Sequence, residues 1–283
     1  MATSETVTKP KKRFKSLGIR AVTGFALMFL CGFPVYFGGW AFAVLVALFG
    51  ARIVYEWVRM TDPGFTKLAV LIPIICLLSS LFLGQMGEWP MAFIVVVVAA
   101  ILAAIERSSR SKAHWAAFGC LYIILPCLAI LWIRGDVMGF NAPGFAKIVF
   151  IALVVIAADS WAYIGGSLMK GPKLAPTISP NKTWSGFFSG LVFGSITGLL
   201  CAYFTGFNLM TGLLLAVPIV LFSVFGDLLE SAIKRHLKVK DAGGLLPGHG
   251  GLLDRVDALM LAVLASAFVL MFWPDVWPVI NAA

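Results

Sequence analysis

Long apolar segments recur along the chain from about residue 21 to the C-terminus, separated by short polar stretches. Nine such runs can be delimited, at 21–37, 40–58, 68–84, 90–105, 115–133, 148–167, 185–205, 209–229 and 257–273. Each is close to the length of about 20 residues that a membrane helix requires, and several carry no charge. A soluble protein cannot bury this much apolar surface. The pattern therefore predicts an all-α, polytopic integral membrane protein with about nine transmembrane helices.

The basic residues predict the orientation of these helices, because cytoplasmic loops of membrane proteins carry an excess of Lys and Arg. With the N-terminus in the cytoplasm, the inside segments hold 20 of the 22 basic residues, and only Arg134 and Lys147 fall outside. The C-terminus is then outside. Since topology accounts for the net charge of +9, nucleic-acid binding is not expected.

Three regions are predicted: a basic cytoplasmic arm over 1–20, N-terminal transmembrane helices over 21–147, and a C-terminal catalytic transmembrane region with cytoplasmic loops over 148–283.

The five cysteines all lie in apolar runs without metal-ligand spacing, so neither a disulfide nor a zinc site is expected. Gly186, Gly190 and Gly194 recur at a spacing of four, which favours a close-packing helix face, within one chain or between two.

Acidic and basic side chains are densest between residues 226 and 257. This stretch holds five of the thirteen carboxylates, namely Asp227, Glu230, Asp241, Asp254 and Asp257. Helical spacing puts four of its polar residues on one face: Asp227, Glu230, Ser231 and Lys234. The glycines of 243–251 bar a regular helix and let the backbone approach a ligand closely. We expect a helix, a returning loop and a second helix, with two acidic faces brought together.

These residue types suit phosphate and metal chemistry. Carboxylate oxygens favour a hard cation such as Mg²⁺, and nearby Lys and Arg neutralise a polyphosphate as it transfers. Asp159 lies near the cytoplasmic end of a predicted span, where an ionisable group indicates function unless it is simply hydrated at the interface. The loop 170–182 suits a phosphate clamp, although any cytoplasmic loop is expected to be basic.

Four segments of the acidic stretch together resemble the signature of phosphatidate cytidylyltransferases, also called CDP-diglyceride synthetases. They are Ser231-Ala232-Ile233-Lys234-Arg235, Lys240-Asp241, Pro247-Gly248-His249-Gly250-Gly251 and Asp254-Arg255-Val256-Asp257. The segment 159–163 is similar to the family's D-[ST]-x-A-Y, and 179–183 to its S-P-x-K-T. The strong resemblance covers about 157–260.

Three positions depart from the family pattern. Ser167 stands where an Arg is common, Lys170-Gly171 reverses the usual order, and Ser185 replaces an acid. These departures leave the signature intact but leave the roles of the missing Arg and acid open.

The resemblance implies transfer of the cytidylyl group from CTP to phosphatidate, giving CDP-diacylglycerol and pyrophosphate in phospholipid biosynthesis. The lipid phosphate is itself a nucleophile, so the enzyme must mainly align the reactants and screen their charges. The candidate catalytic residues are Asp227, Lys234, Asp241, His249, Asp254 and Arg255. The candidate substrate-binding residues are Ser179, Lys182, Thr183, Ser231, Lys240, Gly250 and Gly251. His249 either orients the leaving pyrophosphate or stabilises its loop, and Asp241 either fixes Lys240 or the loop.

A divalent metal is expected, held by Asp227 and Asp254, with Asp257 and Glu230 binding it or supporting its ligands and Asp159 completing the site. Mg²⁺, Mn²⁺ and an additional monovalent cation remain alternatives. CTP, phosphatidate and the lipid bilayer are the expected partners, and the resemblance implies a homodimer. The expected location is the bacterial inner membrane, with the active site on its cytoplasmic side.

Two other functions share part of this pattern. A CTP-dependent lipid kinase, or another lipid nucleotidyltransferase, would share a charged cytoplasmic loop. A transporter would place ionisable residues on several spans near the midplane, whereas here only Asp159 intrudes. Acyl-chain preference and the choice between CTP and dCTP stay open.

Overall fold

The structure is a computed structural model that describes residues 30–110, 112–205, 208–243 and 251–277. In these ranges eight helices are long and apolar enough to cross a membrane. They are α1 (Gly39–Thr61), α2 (Lys67–Gln85), α3 (Trp89–Ser108), α4 (Ala113–Arg134), α5 (Pro143–Met169), α6 (Trp184–Thr205), α7 (Leu209–His236) and α8 (Leu253–Phe272). Residues 30–37 are also helical. The predicted all-α polytopic fold is confirmed, while most of the first predicted span lies outside the described residues.

Two helices extend well beyond the apolar runs that predicted them. Helix α5 has 27 residues and α7 has 28. At about 1.5 Å per residue, α7 is about 42 Å long, whereas the hydrocarbon core of a bilayer is about 30 Å thick. The last turns of α7 therefore carry polar residues past the apolar layer, and they include Glu230 and Lys234.

The loop between α5 and α6 contains a small β-hairpin, which the sequence pattern did not predict. Strand β1 (Lys173–Ala175) pairs antiparallel with β2 (Ser179–Thr183). Strand β2 leads directly into α6, where the Thr183 hydroxyl accepts a hydrogen bond from the Gly186 amide at 3.1 Å. This bond satisfies one of the free amides at the start of the helix. The hairpin is thereby fixed against the end of the helix bundle.

Three buried apolar clusters hold the helices together. One lies among the N-terminal helices and includes Leu77 and Ile124. A second lies among the C-terminal helices and includes Val154 and Ile219. The third joins both halves, since Trp57 of α1 belongs to the same cluster as Leu253 of α8. The N-terminal helices are thus packed directly against the helices that carry the acidic stretch.

The glycines of α6 permit close contact with neighbouring helices. A Cβ added at Gly186 would lie 2.6 Å from the carbonyl oxygen of Ala162, and one at Gly190 would lie 2.7 Å from that of Ala158. At Gly194 it would lie 2.6 Å from a methyl of Val220 on α7. The close-packing face predicted from the spacing is confirmed, and its contacts lie within one chain.

Arg134, one of the two basic residues predicted to lie outside, is a buried structural residue. Its guanidinium donates hydrogen bonds to the carbonyls of Val35, Tyr36 and Val137 at 2.5, 2.8 and 2.8 Å. These hydrogen bonds connect the helical segment 30–37 to the end of α4.

Candidate active site

A large polar cavity opens at one end of the C-terminal helices. Its volume is about 840 Å³, which is within the range of small-molecule sites. The acids in its wall are Asp159, Asp227, Asp254 and Asp257, and the bases are Lys170, Lys173, Lys182, Lys234 and Arg255. The two acidic helix faces therefore meet as predicted, and the 170–182 loop and Asp159 of α5 line the same cavity.

Asp227 connects α7 to the hairpin. One carboxylate oxygen lies 2.6 Å from the ammonium of Lys182, and the other accepts a hydrogen bond from the Ser231 hydroxyl at 3.4 Å. Asp227 and Lys182 are both partly exposed to the cavity. A predicted metal ligand and a predicted phosphate ligand thus form one ion pair that remains open to an incoming molecule.

Asp257 lines the same cavity from the first turns of α8. It is buried, and one of its oxygens accepts a hydrogen bond from the Ala258 amide at 2.8 Å. Helices α7 and α8 are very close here, because a Cβ added at Gly226 would lie 2.6 Å from the carbonyl of Asp257. This contact places Asp227, the next residue, beside Asp257.

Lys234 in the cavity wall is paired with two carboxylates, Asp254 of the same wall and Glu230, which is not among the lining residues. Its ammonium forms an ion pair with Glu230, one turn earlier on α7, and lies 2.8 Å from an oxygen of Asp254. Glu230 is completely buried. Removing Lys234 would leave the Glu230 carboxylate buried without its partner, which is costly. Lys234 is consequently engaged with protein carboxylates.

Asp254 holds the two ends of the glycine-rich segment together. Its carboxylate accepts hydrogen bonds from the amide of Ala242 at 3.1 Å and from the amide of Gly251 at 2.8 Å. Together with the ion pair to Lys234, these bonds occupy both oxygens. This geometry indicates that Asp254 fixes the two ends of the glycine-rich segment.

The remaining predicted site residues are distributed as follows. Thr183 is buried and caps α6, while Ser179 lies in β2 outside the cavity lining. Lys240 and Asp241 are exposed and are not part of the cavity wall. The backbone amide of Gly251 donates a hydrogen bond to Asp254. His249 and Gly250 lie outside the described residues.

The departures at Ser185 and Ser167 have visible consequences. The Ser185 hydroxyl donates to the carbonyl of Lys170 and lies 3.0 Å from the hydroxyl of Thr183, so it ties the start of α6 to the end of α5. Ser167 lines the cavity and donates to the carbonyl of Ile164 at 2.9 Å. Ser167 cannot supply the positive charge of the Arg that is common at this position, but Lys170 and Lys173 line the same cavity.

One contributor to this region was missed by the sequence interpretation. Glu56 of α1 is 1% exposed and accepts a hydrogen bond from the amide of Leu253, at the start of α8, at 2.9 Å. It is an acid within a predicted span, as Asp159 is, and the same reasoning could have selected it.

The acids of the cavity supply the hard oxygen atoms that Mg²⁺ prefers. Among the described residues, no three His, Cys, Asp or Glu side chains already surround a single metal position. The oxygens of Asp254 are engaged by two backbone amides and Lys234, those of Asp227 contact only the side chains of Lys182 and Ser231, and one oxygen of Asp257 accepts the Ala258 amide. A metal bound here would need small side-chain adjustments and oxygens from a ligand or water.

Residues 18–273 match the profile of the Cytidylyltransferase family. A phosphatidate cytidylyltransferase of Brucella abortus is 35% identical over 261 residues, covering 91% of this chain and 93% of the relative. One of Staphylococcus epidermidis is 34% identical over 78% of this chain and 85% of its own length. One of Staphylococcus haemolyticus reaches 48% over 125 residues, covering 44% of this chain and 48% of its own.

Proposed function

Because the chain belongs to the cytidylyltransferase family, we propose that it transfers the cytidylyl group of CTP to phosphatidate, giving CDP-diacylglycerol and pyrophosphate. The family resemblance inferred from the motifs is confirmed by the match over 18–273. The observation that carries the proposal is the cavity at the end of an apolar helix bundle, where acids and bases face each other. A lipid phosphate and a nucleotide can meet there without removing the acyl chains from the bilayer.

The reaction needs no nucleophile from the protein. An oxygen of the phosphatidate phosphate attacks the α-phosphorus of CTP, and the bond from that phosphorus to the oxygen bridging to the β-phosphate breaks. The electron pair of that bond leaves with pyrophosphate. The protein therefore has to hold both phosphates in line and reduce the repulsion between two anions.

The lysines in the cavity wall suit this task. Lys182 is paired with Asp227 and partly exposed, so it can shift towards a phosphate at little cost. Lys170 and Lys173 line the same cavity as Lys182, and we assign them to phosphate binding with Lys182 and Arg255. Lys234 is held by Glu230 and Asp254, which supports a positioning role.

A divalent cation, Mg²⁺ or Mn²⁺, fits the oxygen-rich wall. We assign its ligands to Asp227, Asp257 and Asp159, because these residues line the cavity and Asp227 can exchange its side-chain contacts with Lys182 and Ser231 for a cation. When bound, the cation would neutralise phosphate charge. Asp254 is less suited, since its oxygens accept two backbone amides and the Lys234 ammonium.

We propose that the cavity opens towards the cytoplasm and that the lipid headgroup enters it from the bilayer. The cavity lies at the end of the bundle that the positive-inside rule assigns to the cytoplasm, where CTP is available. Leu168 and Phe188, near the cavity, are 77% and 55% exposed, so this side can face acyl chains while the headgroup enters between helices. The family resemblance further suggests a homodimer, which light scattering of the purified protein can test.

The position of the label in CTP distinguishes the proposed reaction from its closest alternative. The purified protein in detergent micelles is given phosphatidate and Mg²⁺ with CTP labelled at the α- or the γ-phosphate. We expect α-label in CDP-diacylglycerol and γ-label in pyrophosphate. Transfer of γ-label to lipid would indicate a kinase and contradict the proposal, as would release of pyrophosphate without phosphatidate.

A further inference from the structure

Glu56 connects the N-terminal half of the protein to the polar cavity. It lies on α1 and is separated from its partner Leu253 by 197 positions. One carboxylate oxygen accepts the Leu253 amide at 2.9 Å, and the other lies 3.0 Å from the guanidinium of Arg52. A negative charge at this place favours the start of α8, because the free amides there carry partial positive charge.

Two glycines pack directly on the Glu56 carboxylate. A Cβ added at Gly243 or at Gly251 would lie 2.7 Å from a Glu56 oxygen. A Cβ at Gly251 would also lie 2.8 Å from the Gly243 amide nitrogen, so the two glycines are in contact. They flank residues 244–250 in the sequence. Both ends of that segment therefore meet at Glu56.

Asp254 closes the same junction from the other side. It binds the amides of Ala242 and Gly251, which adjoin the two glycine contacts. Glu56 and Asp254 thus hold one junction, with the cavity-lining residues Asp254, Arg255 and Asp257 on the first turns of α8. Any displacement of Leu253 would move these three residues together.

We propose that Glu56 is a positioning residue for the cavity: it fixes the start of α8 and the junction of 243 with 251. The N-terminal helices are then part of the catalytic apparatus, although they contribute no residue to the cavity wall in the described part of the chain. This inference rests on the proposed function where it concerns turnover, and on contacts alone where it concerns anchoring.

Two variants separate the effect of the Glu56 charge from that of its oxygen as a hydrogen-bond acceptor. Glu56→Gln keeps an oxygen that can accept the Leu253 amide but loses the charge that faces Arg52. Glu56→Ala loses both. Glu106→Gln is the matched control, since Glu106 is a hydrogen-bonded carboxylate of the same half that lies 2.8 Å from Arg110 and outside the cavity.

Hydrogen exchange and kinetics give independent readings. We expect faster exchange of the Leu253 amide in both variants. We also expect kcat to fall about tenfold in Glu56→Gln and further in Glu56→Ala, with the KM for phosphatidate changed less than threefold. Glu106→Gln should match the unmodified protein in both measurements.

Unchanged Leu253 exchange in both variants would overturn the inference, and so would faster exchange with unchanged kcat and KM. If Glu56→Ala does not fold, the Leu253 exchange and the kinetics of Glu56→Gln test the inference on their own. If the unmodified protein shows no cytidylyl transfer, the proposed function fails, while the exchange of Leu253 still decides whether Glu56 anchors α8.

Discussion

The ammonium of Lys182 lies 2.6 Å from the carboxylate of Asp227, and this pair joins the β-hairpin to helix α7. It is the contact at which the basic and acidic walls of the cavity meet. Because both side chains are partly exposed, the pair can separate when a nucleotide phosphate and a cation enter.

Loss of the Lys182 charge should weaken transition-state stabilisation. For Lys182→Met we expect kcat/KM for CTP to fall about 100-fold, because the phosphates lose a cation aimed into the cavity. Initial rates of pyrophosphate release measure it. Lys67→Met, which removes a lysine at the start of α2 outside the cavity wall, is the control and should stay within twofold. A similarly small effect for Lys182→Met would remove it from the site.

The three aspartates of α7 and α8 should differ in the effect of their substitution. Asp227→Asn and Asp257→Asn should lower turnover at least about 100-fold and resist rescue by added Mg²⁺, because each removes a proposed metal ligand. Asp254→Asn should instead accelerate hydrogen exchange at Ala242 and Gly251, whose amides it binds. If Asp257→Asn retains normal turnover at saturating Mg²⁺, the metal assignment is wrong.

Lys234 should matter for stability as well as for activity. Lys234→Met leaves Glu230 and Asp254 without their shared cation, and removing one partner of a buried ion pair costs about 3 kcal/mol or more. Thermal unfolding in detergent should show a clear decrease in Tm. Adding Glu230→Gln should restore part of it, since the buried charge is then gone. Additive losses in the double variant would argue against the buried pair.

The contact of α5 with α6 predicts a size limit at Gly190. A side chain there meets the backbone carbonyl of Ala158, which cannot move without displacing Asp159. Gly190→Val should therefore lower the free energy of unfolding by about 1–3 kcal/mol and reduce turnover. Gly32→Ala is the control, because its added Cβ meets open space. Equal stability of both variants would contradict the packing described for α6.

The fold could be predicted because apolar runs of membrane length are a strong and local signal. The apolar runs alone end the span of α7 at 229 and begin that of α8 at 257, but the helical spacing of the polar residues correctly predicted that Glu230 and Asp254 lie on helices. The strands of the hairpin have three and five residues, too few for a periodic pattern. The meeting of the acids with Lys182 was indicated by residue type and motif.

The roles of Asp254 and Glu56 were beyond sequence reasoning for one physical reason. Both act through hydrogen bonds to backbone amides, and any residue can supply an amide. Nothing in the sequence near Glu56 indicates that it binds Leu253, 197 positions away. Spacing identified Asp254 as a site residue, but the engagement of its oxygens by Ala242 and Gly251 required coordinates.

The most direct test of the account is the initial rate of labelled CDP-diacylglycerol formation by the unmodified protein and by Asp227→Asn, purified in the same micelles with CTP, phosphatidate and Mg²⁺. The account predicts product from the unmodified protein and at least about a 100-fold lower rate from the variant at equal folded content. Equal rates would contradict the location of the active site in this cavity. No product from the folded, unmodified protein with either Mg²⁺ or Mn²⁺ would contradict the proposed reaction.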